Sequence, residues 1–158
     1  MLMLIMSISF LTLAQSDCNM ELTTLSHDFL IAVKIEDDAA VKTYKKCLYD
    51  LSVDRIEKEL DTDAKKITFW VNIYNAFIQD VLKDDQTIYE ARSDFFGKPL
   101  VPIAGRLISF DWIEHGILRR SKVKLSMGYL NKLFVSNIER ALSVQELDYR
   151  IHFALNCG

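Results

Sequence analysis

Proline and glycine are scarce in this chain, at two and five of 158 residues. That scarcity argues against disorder and against a turn-rich all-β fold. Positive charge is not in excess. Nineteen Lys and Arg stand against 22 Asp and Glu, a formal net charge of −3. Bulk electrostatics therefore give a nucleic-acid partner no support. Cysteine is rare, and Cys18, Cys47 and Cys157 form no CxxC or other metal-ligand spacing. No metal or other cofactor is expected. There is no internal repeat and no low-complexity tract. What is abundant is apolar matter: 50% of residues are hydrophobic and 11% aromatic. A chain of this length and content is expected to bury one core as a single domain.

One stretch lacks charge altogether. Between Lys66 and Asp80 no residue is ionisable as an acid or base in the neutral range, and residues 67–82 read ITFWVNIYNAFIQDVL. On a helical wheel Phe69, Trp70, Val71, Ile73, Tyr74, Ala76, Phe77, Ile78, Val81 and Leu82 cover most of the circumference. Asn72, Asn75 and Gln79 share a narrow polar stripe at i, i+3, i+7. A helix apolar nearly all round lies in the middle of its domain. The amides either satisfy water or a neighbouring loop, or they line a groove.

Residues 1–14 (MLMLIMSISFLTLA) also carry no charge. As a helix they are too short for a bilayer, which takes ~20 residues. They read as the apolar core of a signal peptide, with Thr12 and Ala14 as small residues before a cut ahead of Gln15. The mature part is then residues 15–158, an exported protein, periplasmic or secreted, with no stable membrane span. No Lys or Arg precedes the apolar run, so either the signal is atypical or its start lies further upstream. A buried N-terminal helix is the alternative. Gln15, Ser16 and Asp17 are the wrong residues for lipid attachment at Cys18. Export permits disulfides, but an odd count leaves one thiol over. Cys47, between Tyr44 and Leu48, reads by default as a buried free thiol.

In order, the chain predicts helices over 21–33, 39–50 and 53–60. His27 beside Asp28 is expected at the surface. Asp61, Thr62 and Asp63 supply capping oxygens for the central helix. Residues 88–96 predict one or two helical turns. Residues 101–103 and 107–110 are strand-like, with Ala104-Gly105 turning the chain between them. Asp111 with Glu114 three residues on forms a capping-box pattern for the next helix. On that helix Asp111, His115 and Arg119 fall on one face at i, i+4, i+8. A carboxylate one turn before an imidazole can fix its tautomer and raise its basicity. The plainer alternative is a capping acid beside a surface histidine. Arg119, Arg120, Lys122 and Lys124 follow, where cations complement a helix C-terminus. Residues 129–142 predict an amphipathic helix. Residues 150–157 (RIHFALNC) alternate, with Ile151, Phe153, Leu155 and Cys157 on one side and His152, Ala154 and Asn156 on the other, so they predict a half-buried strand. The expected fold is thus α+β: predominantly helical, with a small sheet made of a hairpin near 100–110 and the strand 150–157.

Three ordered blocks carry a resemblance: residues 69–77 (FWVNIYNAF), 103–119 (IAGRLISFDWIEHGILR) and 148–158 (DYRIHFALNCG). Together they resemble the family catalogued as domain of unknown function 547, over about the last two-thirds of the chain. The resemblance implies an exported bacterial domain. In plants and nematodes the domain is attached to other modules, such as leucine-zipper or glutaredoxin segments. It implies no reaction. This chain departs from the pattern at Tyr149, where the family usually has proline. Similar proteins also continue past Asn-Cys-Gly to a second cysteine and a proline. The chain is therefore expected to be a fragment, incomplete at its C-terminus, and no two-cysteine site is carried over.

Two function classes follow from the residues. The first is a module binding an unknown small molecule, peptide or protein, with Asn72, Asn75, His152, Asn156 and Arg119 around its groove. The second is a thiol hydrolase or acyl transferase. There Cys157 would be nucleophile, His115 base and Asp111 its orienting acid, with the amides as oxyanion donors.

Overall fold

Capping oxygens fix where each early helix begins. The computed structural model describes residues 18–120 and 136–155. In it α1 spans Leu22–Lys34, α2 Asp38–Tyr49, α3 Val53–Glu59 and α4 Asp63–Asp84. Asp37 accepts from Ala40 N at the start of α2, Ser52 from Arg55 N at α3, and Thr62 from Lys65 N at α4. Each satisfies one amide that a helix start leaves orphaned. His27 is exposed and pairs with Asp28 at 3.0 Å.

Helix α4 is the centre of the core. Phe69, Trp70, Ile73, Tyr74, Ala76, Phe77 and Ile78 are all buried along it, as its nearly continuous apolar surface requires. Its largest partner is α1, which contributes Leu22, Leu25, Phe29, Ala32 and Val33. The rings of Phe29 and Phe77 meet at 4.9 Å. Full burial of each large side chain is worth about 1.5–3 kcal/mol.

Cys47 is buried but is not a free thiol. It is bonded to Cys18, 29 positions earlier, across a Cα–Cα distance of 5.0 Å. Burial alone could not separate the two states, because half-cystines and free thiols are both buried. The partner is brought in by Arg55 on α3. Its guanidinium donates to Cys18 O at 2.7 Å and Met20 O at 2.8 Å, and to Glu59 at 2.6 Å. Glu59 in turn accepts from Leu22 N at 3.3 Å.

After α4 come a 3₁₀ turn, Gln86–Tyr89, and the short α5, Arg92–Gly97. Strands β1 (Pro99–Ile103) and β2 (Arg106–Ser109) then form an antiparallel hairpin. Its turn places both Ala104 (φ 49°) and Gly105 (φ 70°) in the left-handed region, as a two-residue hairpin demands. Ala104 N donates to Leu48 O at 3.0 Å and Gly105 N to Tyr49 O at 2.7 Å. The turn thus satisfies carbonyls at the end of α2, and these bonds help hold a non-glycine residue at positive φ.

Among the described residues the sheet has only these two strands. The expected strand over 150–157 is corrected: Ile151–Ala154 form one turn of helix, α7. Alternation at i, i+2, i+4 also contains an i, i+4 pair, and that pair decides the matter. Ile151 and Leu155 are buried, whereas Phe153 between them is 81% exposed. Asp148 starts the turn, accepting from Arg150 N at 2.9 Å. Residues 156–158 lie outside the described part. So does the first half of the helix expected over 129–142; the described half holds α6, Asn137–Leu142, capped by Ser136 on Glu139 N. The fold is a predominantly helical α+β domain. Among the described residues no helix is long and apolar enough to cross a membrane. No group of three or more His, Cys, Asp or Glu there could hold a metal ion.

Candidate functional site

The chain leaves β2 into a helix that starts one residue before the expected cap. Ser109 Oγ accepts from Trp112 N at 3.1 Å, so Ser109 fills the capping role assigned to Asp111. Asp111 is already helical and makes no cap bond. Being released from capping, its carboxylate is available to its neighbours. From Trp112 to Leu118 the helix is wound as a π-helix, closed by Arg119 N donating to Glu114 O at 2.8 Å. Such segments are rare and concentrate at functional sites.

His115 sits in the middle of this segment, 9% exposed. Its Nε2 is 3.9 Å from Asp111 Oδ1 and 4.0 Å from Glu114 Oε1. Two carboxylates therefore flank one imidazole, beyond direct hydrogen-bond length. Arg119 donates to Glu114 Oε1 at 3.2 Å, so its charge is directed to Glu114.

Glu139 was not foreseen in this cluster. It lies on α6, 5% exposed, and its Oε2 accepts from the Trp112 indole Nε1 at 3.2 Å. Gly116 makes room for it. A Cβ on Gly116 would stand 3.0 Å from Glu139 Cδ and 3.0 Å from its Oε1. The available signal was a lone glycine inside a helical pattern, which often marks a close neighbour. It did not say which neighbour.

The amide stripe faces helices. Asn72 Nδ2 donates to Ser26 Oγ on α1 at 3.3 Å, Asn75 Nδ2 to Ala154 O on α7 at 2.9 Å, and Gln79 Nε2 to Asn75 O at 3.0 Å. His152 is exposed, with its ring 5.7 Å from that of Phe153. Asn156 and Cys157 lie outside the described residues. Adjacent residues of α4 nevertheless touch both ends of the expected groove. The Tyr74 ring meets Phe110, which leads into the π-helix, at 5.3 Å, while Asn75 holds the end of α7.

A second feature lies at the other end of the π-helix. A cavity of about 420 Å³ is lined by residues that include Glu57, Asp61, Lys66, Arg120, Arg140 and Ser143. Its walls are cross-braced. Lys66 Nζ donates to Ala141 O at 3.2 Å and Ser143 O at 2.7 Å. The Asp63 carboxylate accepts from Gln145 N and Glu146 N, both at 2.8 Å. Val144 N donates to Ile117 O at 3.1 Å. Asp61 is paired with Lys65 at 2.9 Å, whose hydrogen bond holds the Asp61 carboxyl below its ordinary pKa. Arg120 and Arg140 are exposed and form no ion pair among the described residues.

The fold and site define a helical α+β domain with a π-helix joining an acid–imidazole cluster to a cation-lined cavity. Residues 57–158 match the family model described as "Protein of unknown function, DUF547", and the chain belongs to that family. The match begins in α3 and takes in α4, the hairpin, the π-helix and the cavity walls, while α1 and α2 precede it. No curated protein and no solved structure matches the chain.

Proposed function

We propose that this chain is an exported ligand-binding domain whose seat is the cavity between α3, the first turn of α4 and the segment after α6. The observation that carries the reading is the state of the cations there. Lys66 on the cavity wall, and Lys65 and Arg119 next to lining residues in sequence, all have partners. Arg120 and Arg140 face the same cavity without one among the described residues. A volume of about 420 Å³ suits a small molecule or the side chains of a peptide. Export is supported by the Cys18–Cys47 bridge, because disulfides form and persist in oxidising compartments. It predicts a mature protein lacking residues 1–14, which intact-mass measurement on material from a native-type host tests. Recovery with Met1 in a reduced cytosolic fraction would refute it.

Binding is tested by amide NMR with succinate, inorganic phosphate, glucose and spermidine as separate probes. Saturable shifts at Lys66, Arg140 and Val144 with any one of them support the reading. No saturable shift at those residues with any probe overturns it.

A second reading is supported by His115. A buried imidazole flanked at 3.9 Å by Asp111 suits a general base, with Cys157 as the nucleophile of a thiol hydrolase or acyl transferase. With Cys18 and Cys47 bridged, Cys157 is the remaining cysteine of this sequence, so alkylation of the oxidised protein reads it. Faster reaction with iodoacetamide near pH 7 than a model thiol shows, slowed by Asp111→Asn or His115→Ala, supports this reading. A thiol inert until denaturation refutes it.

A further inference from the structure

We infer that the ligand of the cavity is a compact dianion, a phosphate monoester or a dicarboxylate, clasped between the guanidinium groups of Arg120 and Arg140. This rests on the binding reading above and adds the ligand's chemistry to it. Asp61 on the cavity wall is paired with Lys65, which stands outside the lining. Lys66 directs two of its three N–H donors to Ala141 O and Ser143 O, which keeps its charge and leaves one donor. Set against Glu57 and Asp61, the lining cations Lys66, Arg120 and Arg140 give the cavity wall an excess of one positive charge, and Lys65 stands beside it, paired with Asp61. Two like-charged guanidiniums across one cavity repel, and an anion between them removes that repulsion. A planar guanidinium also matches the oxygens of phosphate and carboxylate with two parallel bonds.

The backbone adds two independent features. Helix α4 has 22 residues, and Lys66 of its first turn lines the cavity. That end carries the positive pole of the helix dipole. The Asp63 carboxylate at this turn is occupied by the amides of Gln145 and Glu146. Arg120 holds a φ of 53°, a region costly for a residue with a Cβ. It does so at the end of the π-helix, where the chain turns and its side chain reaches the cavity.

The experiment follows the arginine side-chain Nε signals by NMR, together with thermal unfolding, on the whole chain. Inorganic phosphate is titrated against sodium chloride at equal ionic strength, and phenyl phosphate and succinate are further arms. The expected result is saturable movement of both Arg120 and Arg140 Nε with phosphate, and a higher melting temperature than chloride gives. Arg120→Gln and Arg140→Gln, each with an unchanged circular dichroism spectrum, should each weaken phosphate by about tenfold or more. Saturation by succinate and not by phosphate supports the dianion and assigns it to a dicarboxylate source. Phosphate and succinate indistinguishable from chloride on the wild-type chain would overturn the inference, as would two folded variants with undiminished affinity. Binding of glucose or spermidine at the cavity without anion binding overturns the dianion alone and leaves the binding domain standing. No cavity response to any probe overturns both.

Discussion

Gly116→Ala tests the contact between the π-helix and α6. The new Cβ would lie 3.0 Å from Glu139 Cδ, 3.0 Å from Oε1 and 3.3 Å from Cγ. Normally a flexible carboxylate end would swing away. Here Glu139 is only 5% exposed, and its other oxygen holds the Trp112 indole at 3.2 Å. Moving it leaves a partly buried N–H without its acceptor. Overpacking costs about 1–3 kcal/mol, and loss of a hydrogen bond to a charged group about 1.5–3 kcal/mol. Alanine recovers about 1 kcal/mol through helix propensity. Gly116→Ala should therefore destabilise by roughly 1–3 kcal/mol, the partial strain and partial loss of the bond being shared. Urea unfolding followed by tryptophan fluorescence measures it. Glu139→Ala removes the obstacle, so the double variant should be more stable than the sum of the singles predicts, by about 0.5–3 kcal/mol. A Gly116→Ala chain as stable as wild type, or strict additivity, would refute the contact.

Trp70 is fully buried, and its Nε1 has no hydrogen-bond partner among the described residues. Trp70→Ala should cost about 3–5 kcal/mol, but Trp70→Phe much less, because it also removes an unsatisfied donor; equal losses in urea melts would contradict this. Reducing Cys18–Cys47, which closes 29 positions, should lower stability by about 3.6 kcal/mol on the chain-entropy model, read from urea curves with and without dithiothreitol; coincident curves would contradict it. The Arg150 guanidinium beside Asp148 holds its carboxyl down to about 2. The folded value lies below the unfolded one, ~3.9, so the pair's contribution is present above ~4 and lost as pH falls through about 2. An NMR titration of Asp148 with a wild-type midpoint near 4, or one unmoved by Arg150→Gln, would refute the pairing.

What was legible in the sequence was what local spacing controls. The uncharged stretch predicted a buried helix over 67–82, and Asp63–Asp84 forms it. The ends lie further out because Thr62 caps it and because Lys65, Lys66 and Lys83 can all turn toward partners. Ala104-Gly105 marked the hairpin turn. Three features were not legible, each for a separate physical reason. Ile151, Phe153 and Leu155 satisfy a strand and one helical turn alike, and only the exposure of Phe153 separates them. Three cysteines admit three pairings, and Arg55, which seats Cys18 beside Cys47, is 37 positions from Cys18. The Glu139–Gly116 contact joins positions 23 apart through packing that no period encodes. Ser109 and Asp111 both suit an N-cap, and the register of β2 chose the earlier one.

The π-helix is what makes the two features of the site one structure. Ile117 O lies in the last turn of the segment, where carbonyls lack helical partners, and it accepts from Val144 N at 3.1 Å and from Arg120 N at 3.4 Å. On the same segment Gly116 admits Glu139, and Trp112 donates to it. The segment from Glu139 to Val144 is thus tied to the π-helix at both ends. Lys66 ties its middle to α4 through Ala141 O and Ser143 O. Arg140 lies within the tied stretch, and Arg120 is two residues beyond the end of the π-helix. Their common cavity is therefore a consequence of the same bonds that bury Glu139. It follows that Gly116→Ala, although its Cβ touches no cavity residue, should weaken phosphate at Arg120 and Arg140 as well as the fold. A stability loss with unchanged phosphate affinity would separate the two features, and each would then stand as an independent site.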